Sequence, residues 1–254
     1  MGVNLGSGKC YPKERLVVLK EPVLRLLIIN CDDVGAAIQN AYGQYGDMLE
    51  RAMRRAESDL EIQHADALTG PLPPATEFDA ALISGSRADA FGNDLWIRRL
   101  IEWVQHVDRP LAGICFGHQL LAQAFGGQVA RAPEEWGLGY QSVTVLTPRP
   151  WMSEPIRTIG VLVSHQDQVL RLPRGAIPIL SAPYCPQFSF EIPGVALGLQ
   201  GHPEFDAGYA RLLMERRRGI IDGARIDAAI PTLATPTDAA LLNRWLLTFL
   251  RTAQ

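Results

Sequence analysis

Cys115 is the residue whose neighbours in the sequence best suit covalent chemistry. Gly113 and Gly117 flank it, four apolar or small residues lead into it, and the amphipathic run 118–125 follows at once. This order predicts a strand, a tight turn and a helix, because glycines beside a turn residue relieve crowding. A thiol at such a turn lies against a helix N-terminus, whose partial positive charge favours the thiolate. We therefore predict that Cys115 is a nucleophile; a buried packing cysteine is the alternative.

His202 has the most suitable context for a general base among the five histidines. The strand-like run 195–200 comes just before it, so His202 falls at the carboxyl end of a strand, where ligands gather in open α/β sheets. Pro203 keeps His202 extended, and Glu204 can project to the same side and accept the second ring N–H. That contact would fix the tautomer and stabilise an imidazolium. The alternative role for Glu204 is to cap the helix that follows.

Alternating strand-like and helix-like segments predict the framework that holds these residues. The first half of the chain predicts a parallel sheet with helices on both faces, and short strands beyond Ala130 predict a small antiparallel extension. The last helix has Thr235 as its expected N-cap and Asp238 at N3. The predicted strands are 24–30, 59–66, 78–84, 111–114, 140–146, 158–163, 177–181, 187–192 and 195–199, and the predicted helices are 43–56, 93–107, 118–125, 207–218 and 236–250.

Composition and charge narrow the class of protein. The 254 residues, 47% of them hydrophobic, suffice for a substantial core, and we expect an N-terminal extension at 1–22 and one domain at 23–254. The net charge of −3 gives no basic field toward nucleic acid or an anionic membrane. The apolar runs are too short for a membrane span or a signal peptide. Four scattered cysteines without metal-ligand spacing predict free thiols in a reducing cytoplasm, with no metal and no cofactor.

Four motifs in one order resemble those of the class I glutamine amidotransferases, over roughly residues 24–205. They are the nucleophile motif Gly-Ile-Cys-Phe-Gly-His-Gln at 113–119, the base motif Gly-His-Pro-Glu at 201–204, the oxyanion-loop motif Ile-Ser-Gly-Ser at 83–86 and the segment Val-Ser-His-Gln-Asp at 163–167. The His-Gln-Asp form of the last motif, with Asp-Ala-Phe-Gly-Asn-Asp at 89–94, looks closer to the γ-glutamyl peptidase branch than to GMP synthase.

The resemblance implies both a fold and a reaction. The fold is an open, mainly parallel, flavodoxin-like sheet with helices on both faces. The reaction is attack of Cys115 on the γ-carbonyl of glutamine or of a γ-glutamyl conjugate, which gives a thioester. In this scheme His202 removes the thiol proton and later protonates the leaving amine, while Glu204 orients His202.

The resemblance also assigns the groups around the substrate. The N–H groups of Phe116 and of Gly85 or Ser86 would hold the oxyanion. The family usually has two glycines in this loop, so the serine leaves open which of the two residues donates. Gln119 and His165 match family positions near the amino-acid end of the substrate, where they would grip its α-amino and α-carboxylate groups. A loop-scaffold role is the alternative for His165.

Three functional hypotheses remain open from the sequence. The first is a freestanding hydrolase that cuts glutamine or a γ-glutamyl compound, with that small molecule as its partner. It is favoured because no synthase domain follows residue 204 in the sequence. The second is a glutaminase subunit that passes ammonia to a separate synthase. The third is a catalytically silent binding protein with the same fold, against which the intact Cys, His and Glu argue.

Overall fold

A computed structural model describes residues 22–132 and 136–253 of the chain. The expected N-terminal extension therefore lies outside the described residues, except for its last residue, as does part of the loop 133–139. Within the described part of the chain, no helix is long and apolar enough to cross a membrane.

The strands are β1 (Leu24–Asn30), β2 (Leu60–Asp66), β3 (Ala80–Ile83), β4 (Leu111–Ile114), β5 (Gln128–Arg131), β6 (Gly137–Val145), β7 (Thr158–His165), β8 (Asp167–Arg171), β9 (Ile177–Ala182), β10 (Cys185–Ile192) and β11 (Ala196–Leu199).

The helices lie mostly between the parallel strands and at the end of the chain. They are α1 (Ala36–Tyr42), α2 (Tyr45–Ala56), α3 (Leu95–His106), α4 (Phe116–Ala124), α5 (Ala207–Arg216), α6 (Gly223–Ala229) and α7 (Ala239–Thr252), with a short 3₁₀ helix at Ile230–Ala234.

Nine of these strands form one sheet in the order β2-β1-β3-β4-β11-β10-β9-β6-β7. The five strands from β2 to β11 are parallel, so their carboxyl ends meet at one edge of the sheet. The other four strands run antiparallel to their neighbours. The predicted mainly parallel sheet with an antiparallel extension is confirmed, and β5 and β8 add a separate two-stranded sheet.

Helices cover both faces of the parallel strands, which explains why those strands are continuously apolar. Alternate residues of β1 point to opposite faces. Leu26 and Ile28 pack in the core beneath α2 and α7, whereas Leu27 and Ile29 pack in the core beneath α3 and α4. This double layer fixes the position of the sheet edge where β4 and β11 end side by side.

Several element boundaries differ from the predicted ones. The predicted helix 43–56 corresponds to α2, which begins two residues later at Tyr45 because Gly43 adopts φ 80° and Gln44 and Asp47 form a capping box. The short helix α1 that precedes it is not among the predicted helices. The last helix begins at Ala239, and the predicted N-cap Thr235 is wrong. Its N-cap is Asp238, whose N–H donates to the backbone oxygen of Gly160 and whose carboxylate accepts the Gly160 N–H, each at 2.7 Å.

Candidate active site

Cys115 lies at the turn between β4 and α4, at the carboxyl edge of the parallel strands. It has φ 51° and ψ −99°, and among the described residues it is the only one other than glycine with a positive φ. Its N–H donates to the Leu199 oxygen at 2.8 Å, which ties the turn to β11. Such a strained backbone at one reactive residue is typical of a nucleophile elbow. The helix starts at Phe116, two residues earlier than predicted, so the thiol sits directly at its N-terminus.

Two glycines let the elbow pack against its neighbours. A Cβ on Gly113 would lie 2.4 Å from the backbone oxygen of Gly117, and a Cβ on Gly117 would lie 2.4 Å from the backbone oxygen of Ile83. Both distances are far below van der Waals contact, and backbone atoms cannot rotate away. The glycines are therefore required by the close approach of β3, β4 and α4 at Cys115.

We expect Gly117→Ala to destabilise the protein. Pressing a methyl group into the backbone of β3 costs about 1–3 kcal/mol by overpacking, which lowers Tm by about 2–4 °C per kcal/mol in a chain of this size. Gly219→Ala is the matched control, because a Cβ there meets nothing within 4 Å and needs no positive φ. Equal Tm values for the two variants by differential scanning calorimetry would contradict this account of the elbow.

His202 and Glu204 form a buried pair immediately after β11. The His202 Nδ1 lies 2.7 Å from the Glu204 Oε1, and the two side chains are 3% and 0% exposed. The His202 N–H donates to the Leu162 oxygen at 2.8 Å, which anchors the turn to β7. The helix that follows is capped by Asp206, whose carboxylate accepts the Tyr209 N–H at 2.7 Å. The N-cap of α5 is therefore Asp206 and not Glu204. Glu204 contacts the His202 imidazole instead.

The His202 imidazole is held in its charged form by two neighbours. Burial alone would lower its pKa, but the Glu204 carboxylate and the neighbouring Cys115 sulfur outweigh burial and raise the pKa to about 10. Gly85 lies beside both side chains, since a Cβ there would be 3.1 Å from the His202 Cε1 and 3.9 Å from the Cys115 Cβ. The structure thus brings Cys115, His202 and Glu204 together in one contiguous row.

Phe205 is a site residue that the sequence analysis missed. Its ring stacks on the His202 imidazole with a centroid distance of 3.9 Å and an interplanar angle of 7°. Tyr209 packs edge-on against the other side of Phe205 at 4.6 Å. The only sequence signal is an aromatic residue directly after the His-Pro-Glu motif, and the stacking depends on the turn geometry. One imidazole face is therefore fixed by an aromatic ring while its Nδ1 is fixed by Glu204.

The loop after β3 is fixed by a buried carboxylate. The Asp32 Oδ2 accepts the Arg87 N–H at 2.8 Å, and its Oδ1 pairs with the Arg87 Nε at 3.1 Å. Ser84 adds a second tie, because its hydroxyl accepts the Cys31 N–H at 2.9 Å and donates to the Gly85 oxygen at 2.9 Å. Burial raises the pKa of Asp32. These contacts hold the predicted oxyanion loop in place beside Cys115.

Three backbone N–H groups stay available at this point. Within residues 22–132 and 136–253, the N–H groups of Gly85, Ser86 and Phe116 have no hydrogen-bond acceptor. Phe116 is the first residue of α4, so its N–H belongs to the unpaired group that every helix N-terminus carries. The N–H groups of Gly85 and Ser86 are therefore both free to meet a ligand beside Cys115.

Gln119 and His165 lie on one wall of the site and share one acceptor. The Gln119 Nε2 donates to the Asp167 oxygen at 2.8 Å and to the Gln200 Oε1 at 3.1 Å, so both amide hydrogens are used within the protein. The His165 Nδ1 lies 3.2 Å from the same Asp167 oxygen. Burial lowers the pKa of His165 to about 3, although the Asp167 contact opposes this. His165 is therefore neutral, with its proton on Nδ1 because a carbonyl oxygen only accepts.

The same wall contains an unpaired nitrogen atom and an ion pair. The His165 Nε2 is buried and has no hydrogen-bond partner among the described residues, and its ring stacks on Tyr184 at 5.8 Å. Arg131 bridges two carboxylates, with Nε 2.9 Å from the Asp167 Oδ1 and Nη2 3.0 Å from the Asp89 Oδ1. Burial, together with the Asp89 carboxylate, raises the pKa of Asp167 to about 6. This cluster joins the segment after β7 to the loop after β3.

The chain matches a known family. The family model for the class I glutamine amidotransferases matches residues 37–218, and the chain belongs to that family. It is 36% identical to γ-glutamyl peptidase 5 of Arabidopsis thaliana over 183 aligned residues. This alignment covers 66% of this chain and 71% of the relative. It is 30% identical to the glutamine-hydrolyzing GMP synthase of Aeropyrum pernix over 198 aligned residues. This alignment covers 76% of this chain and 38% of that protein.

Solved structures agree on the fold. A glutamine amidotransferase of Thermotoga maritima superposes with a TM-score of 0.71 at 21% identity, covering 92% of this chain and 100% of that one. A second, from Methylobacillus flagellatus, gives a TM-score of 0.67 at 22% identity, covering 91% and 94%.

Proposed function

We propose that this protein is a hydrolase that uses Cys115 to cleave the γ-glutamyl amide or isopeptide bond of glutamine or of a γ-glutamyl conjugate. The observation that carries the proposal is the row in which the His202 imidazole lies between the Glu204 carboxylate and the Cys115 sulfur at the elbow. The relatives named γ-glutamyl peptidases support the substrate class. Because a charged imidazole stabilises a thiolate beside it, the row prepares a nucleophile before substrate arrives.

The proposed acylation uses each group once. The Cys115 thiolate attacks the carbonyl carbon of the substrate's γ-glutamyl amide, and the carbonyl oxygen becomes an oxyanion held by the N–H of Phe116 and that of Gly85 or Ser86. The His202 imidazolium gives its proton to the amide nitrogen, the carbon–nitrogen bond breaks, and the amine leaves. This step produces a γ-glutamyl thioester on Cys115 and a neutral imidazole.

Deacylation reverses the role of the imidazole. His202 takes a proton from water, and the resulting hydroxide attacks the thioester carbon. The carbon–sulfur bond then breaks, which releases glutamate and restores the thiolate beside an imidazolium. Throughout the cycle Glu204 and Phe205 keep the ring oriented toward the sulfur.

The wall formed by His165 and Gln119 suits the amino-acid end of the substrate. A γ-glutamyl group carries an α-ammonium, which can only donate hydrogen bonds. The His165 Nε2 is an unpaired acceptor, and the Gln119 side-chain oxygen is the one amide atom of that residue not used by the hydrogen bonds to Asp167 and Gln200. We assign the α-ammonium to these two acceptors, which is a narrower role than gripping both polar groups of the substrate.

Phe205→Leu tests whether the imidazole is held by stacking. An aromatic pair of this geometry contributes about 0.5–1.5 kcal/mol, so we expect kcat to fall about 2- to 12-fold with little change in KM. Phe249→Leu is the matched control, because it removes a buried ring of α7 that packs on Trp151. The stacking role is contradicted if both variants keep the wild-type kcat when compared at equal folded concentration.

A second candidate is a glutaminase subunit that delivers ammonia to a separate synthase. The similarity to glutamine-hydrolyzing GMP synthases favours it, because the relative from Archaeoglobus fulgidus, at 32% identity, is a separate subunit of such a synthase. The chemistry at Cys115 would be the same, and only the leaving group and its destination would differ. Such a protein would be nearly idle on glutamine until its partner is added.

A substrate panel decides between the two candidates. Purified protein is incubated with glutamine, γ-glutamyl dipeptides and γ-glutamyl amines, and both glutamate and the released amine are quantified. Equimolar release from one or more γ-glutamyl conjugates in the absence of any partner supports the hydrolase. Weak glutamine hydrolysis alone, stimulated by a synthase, favours the second candidate. No release from any compound, either with or without a synthase, contradicts both.

A further inference from the structure

The C-terminal helix α7 carries a polar side chain on its buried face. The whole helix lies within the described residues, and Asn243 is the one amide among its buried side chains, with the buried Leu246 and Leu247 three and four residues further on. Asn243 is 5% exposed. Burying an amide among leucines costs free energy unless hydrogen bonds replace its contacts with water, so a buried amide here needs a reason.

The partner of Asn243 is the turn that carries the catalytic pair. Its Nδ2 donates to the backbone oxygen of Pro203 at 3.2 Å, and Pro203 is the residue between His202 and Glu204. The Glu204 carboxylate has little else to orient it, because its Oε2 is buried and has no hydrogen-bond partner among the described residues. The direction of Glu204 is therefore set by its bond to His202 and by the backbone that Asn243 holds.

The helix that carries Asn243 is itself anchored to the sheet. At the start of α7, the Asp238 N–H donates to the Gly160 backbone oxygen, and the Asp238 carboxylate accepts the Gly160 N–H. These two hydrogen bonds fix α7 to β7. The same strand accepts the His202 N–H at Leu162. β7, α7 and the His202–Glu204 turn thus form a closed frame, in which the turn is held from β7 on one side and from α7 on the other.

We propose that Asn243 is a positioning residue for the reaction, which holds the Pro203 peptide and thereby aligns Glu204 with His202. This inference rests on the proposed function. Asn243 lies outside the residues 37–218 matched by the family model, so α7 adds a support that the matched segment does not contain.

A cavity behind the turn leaves room for the turn to shift if this support is lost. A space of about 320 Å³ is lined by Glu204 and Asn243, and charged side chains stand around it. Loss of the amide would let the turn relax into this space and admit water beside the carboxylate, which weakens its electrostatic hold on His202. The charged groups that face this region are Arg51 and Arg55 of α2, Arg244 of α7, Asp206 before α5, and Glu204 itself.

The test compares Asn243→Leu and Asn243→Ala with Leu246→Ala, a matched control that loosens the same helix without touching the turn. Two quantities are measured: kcat and KM on the best panel substrate, and the rate at which iodoacetamide alkylates Cys115, followed by peptide mass mapping. One hydrogen bond is worth about 1 kcal/mol, so we expect both Asn243 variants to lose roughly five- to tenfold in kcat with KM within about twofold of wild type.

The alkylation rate isolates the positioning role, because it needs no substrate. At neutral pH we expect Cys115 to react roughly five- to tenfold more slowly in both Asn243 variants. Leu246→Ala lowers Tm but keeps the wild-type alkylation rate. Unchanged alkylation in folded Asn243 variants overturns the inference, and so does an equal loss in Leu246→Ala. Failure of the proposed function is distinct, because wild-type Cys115 would then react no faster than an ordinary thiol.

Discussion

Cys115→Ser abolishes turnover while the protein stays folded. A serine hydroxyl is far less acidic than a thiol, and the row of Glu204 and His202 is arranged to hold a thiolate, so we expect kcat/KM to fall by about 10⁴-fold or more. The measurement is glutamate release from the best panel substrate, with circular dichroism and Tm to show that the fold is intact.

Cys31→Ala is the control for this loss. Cys31 is buried, and burial raises the pKa of its thiol, so it cannot replace Cys115 as a nucleophile. Its backbone N–H still donates to the Ser84 hydroxyl after the substitution, so the loop after β3 keeps that tie. We expect this variant to keep most of its activity. Turnover that survives in Cys115→Ser, or that is lost equally in Cys31→Ala, contradicts the assignment of the nucleophile.

Glu204→Gln moves the alkaline limit of activity toward neutral pH. His202 has to be protonated when it delivers a proton to the leaving amine, and its pKa of about 10 keeps it so across neutral pH. The substitution removes the carboxylate that raises this pKa, while burial continues to lower it, so the imidazole loses its proton at lower pH. We expect the basic limb of the pH profile of kcat/KM to shift toward neutral pH by at least about two pH units. At neutral pH, we expect kcat/KM to decrease about 10²- to 10⁴-fold.

Glu191→Gln is the matched control for losing a buried carboxylate. Glu191 is 3% exposed and accepts hydrogen bonds from Arg149 at 2.7 Å and from the Trp151 indole at 2.9 Å, remote from the elbow. Its substitution costs stability but leaves the pH profile of the remaining activity unchanged. If the basic limbs of Glu204→Gln and wild type coincide, Glu204 does not set the protonation of His202.

Local sequence patterns are sufficient to predict the parallel half of the fold. The strands of that half are buried on both faces, so their sequences are continuously apolar, and Leu27 and Ile29 show this in β1. The elbow is equally local, because glycines at 113 and 117 report the close approach of backbone atoms. Cys115, His202 and Glu204 could therefore be proposed from the sequence, since each lies in a short motif at the end of a strand.

Tertiary contacts decide what the sequence analysis missed. β5 and β8 mix polar and apolar residues, and they are strands because each pairs with the other across a distance in the chain. The start of α7 follows from the contact between Asp238 and Gly160, which overrides the local preference for a cap at Thr235. Phe205 and Asn243 act through the geometry of one turn, so no spacing in the sequence marks either of them.

Labelling with an electrophilic glutamine analogue tests the central claim most directly. The analogue is added to wild-type protein with and without glutamine, and the adduct is counted by intact mass and located by peptide mass mapping. The account predicts one adduct per chain, on the peptide that contains Cys115, with protection by a γ-glutamyl substrate and no adduct in Cys115→Ser. An adduct on Cys31 or Cys185 in place of Cys115, or no adduct at all in folded protein, would contradict it.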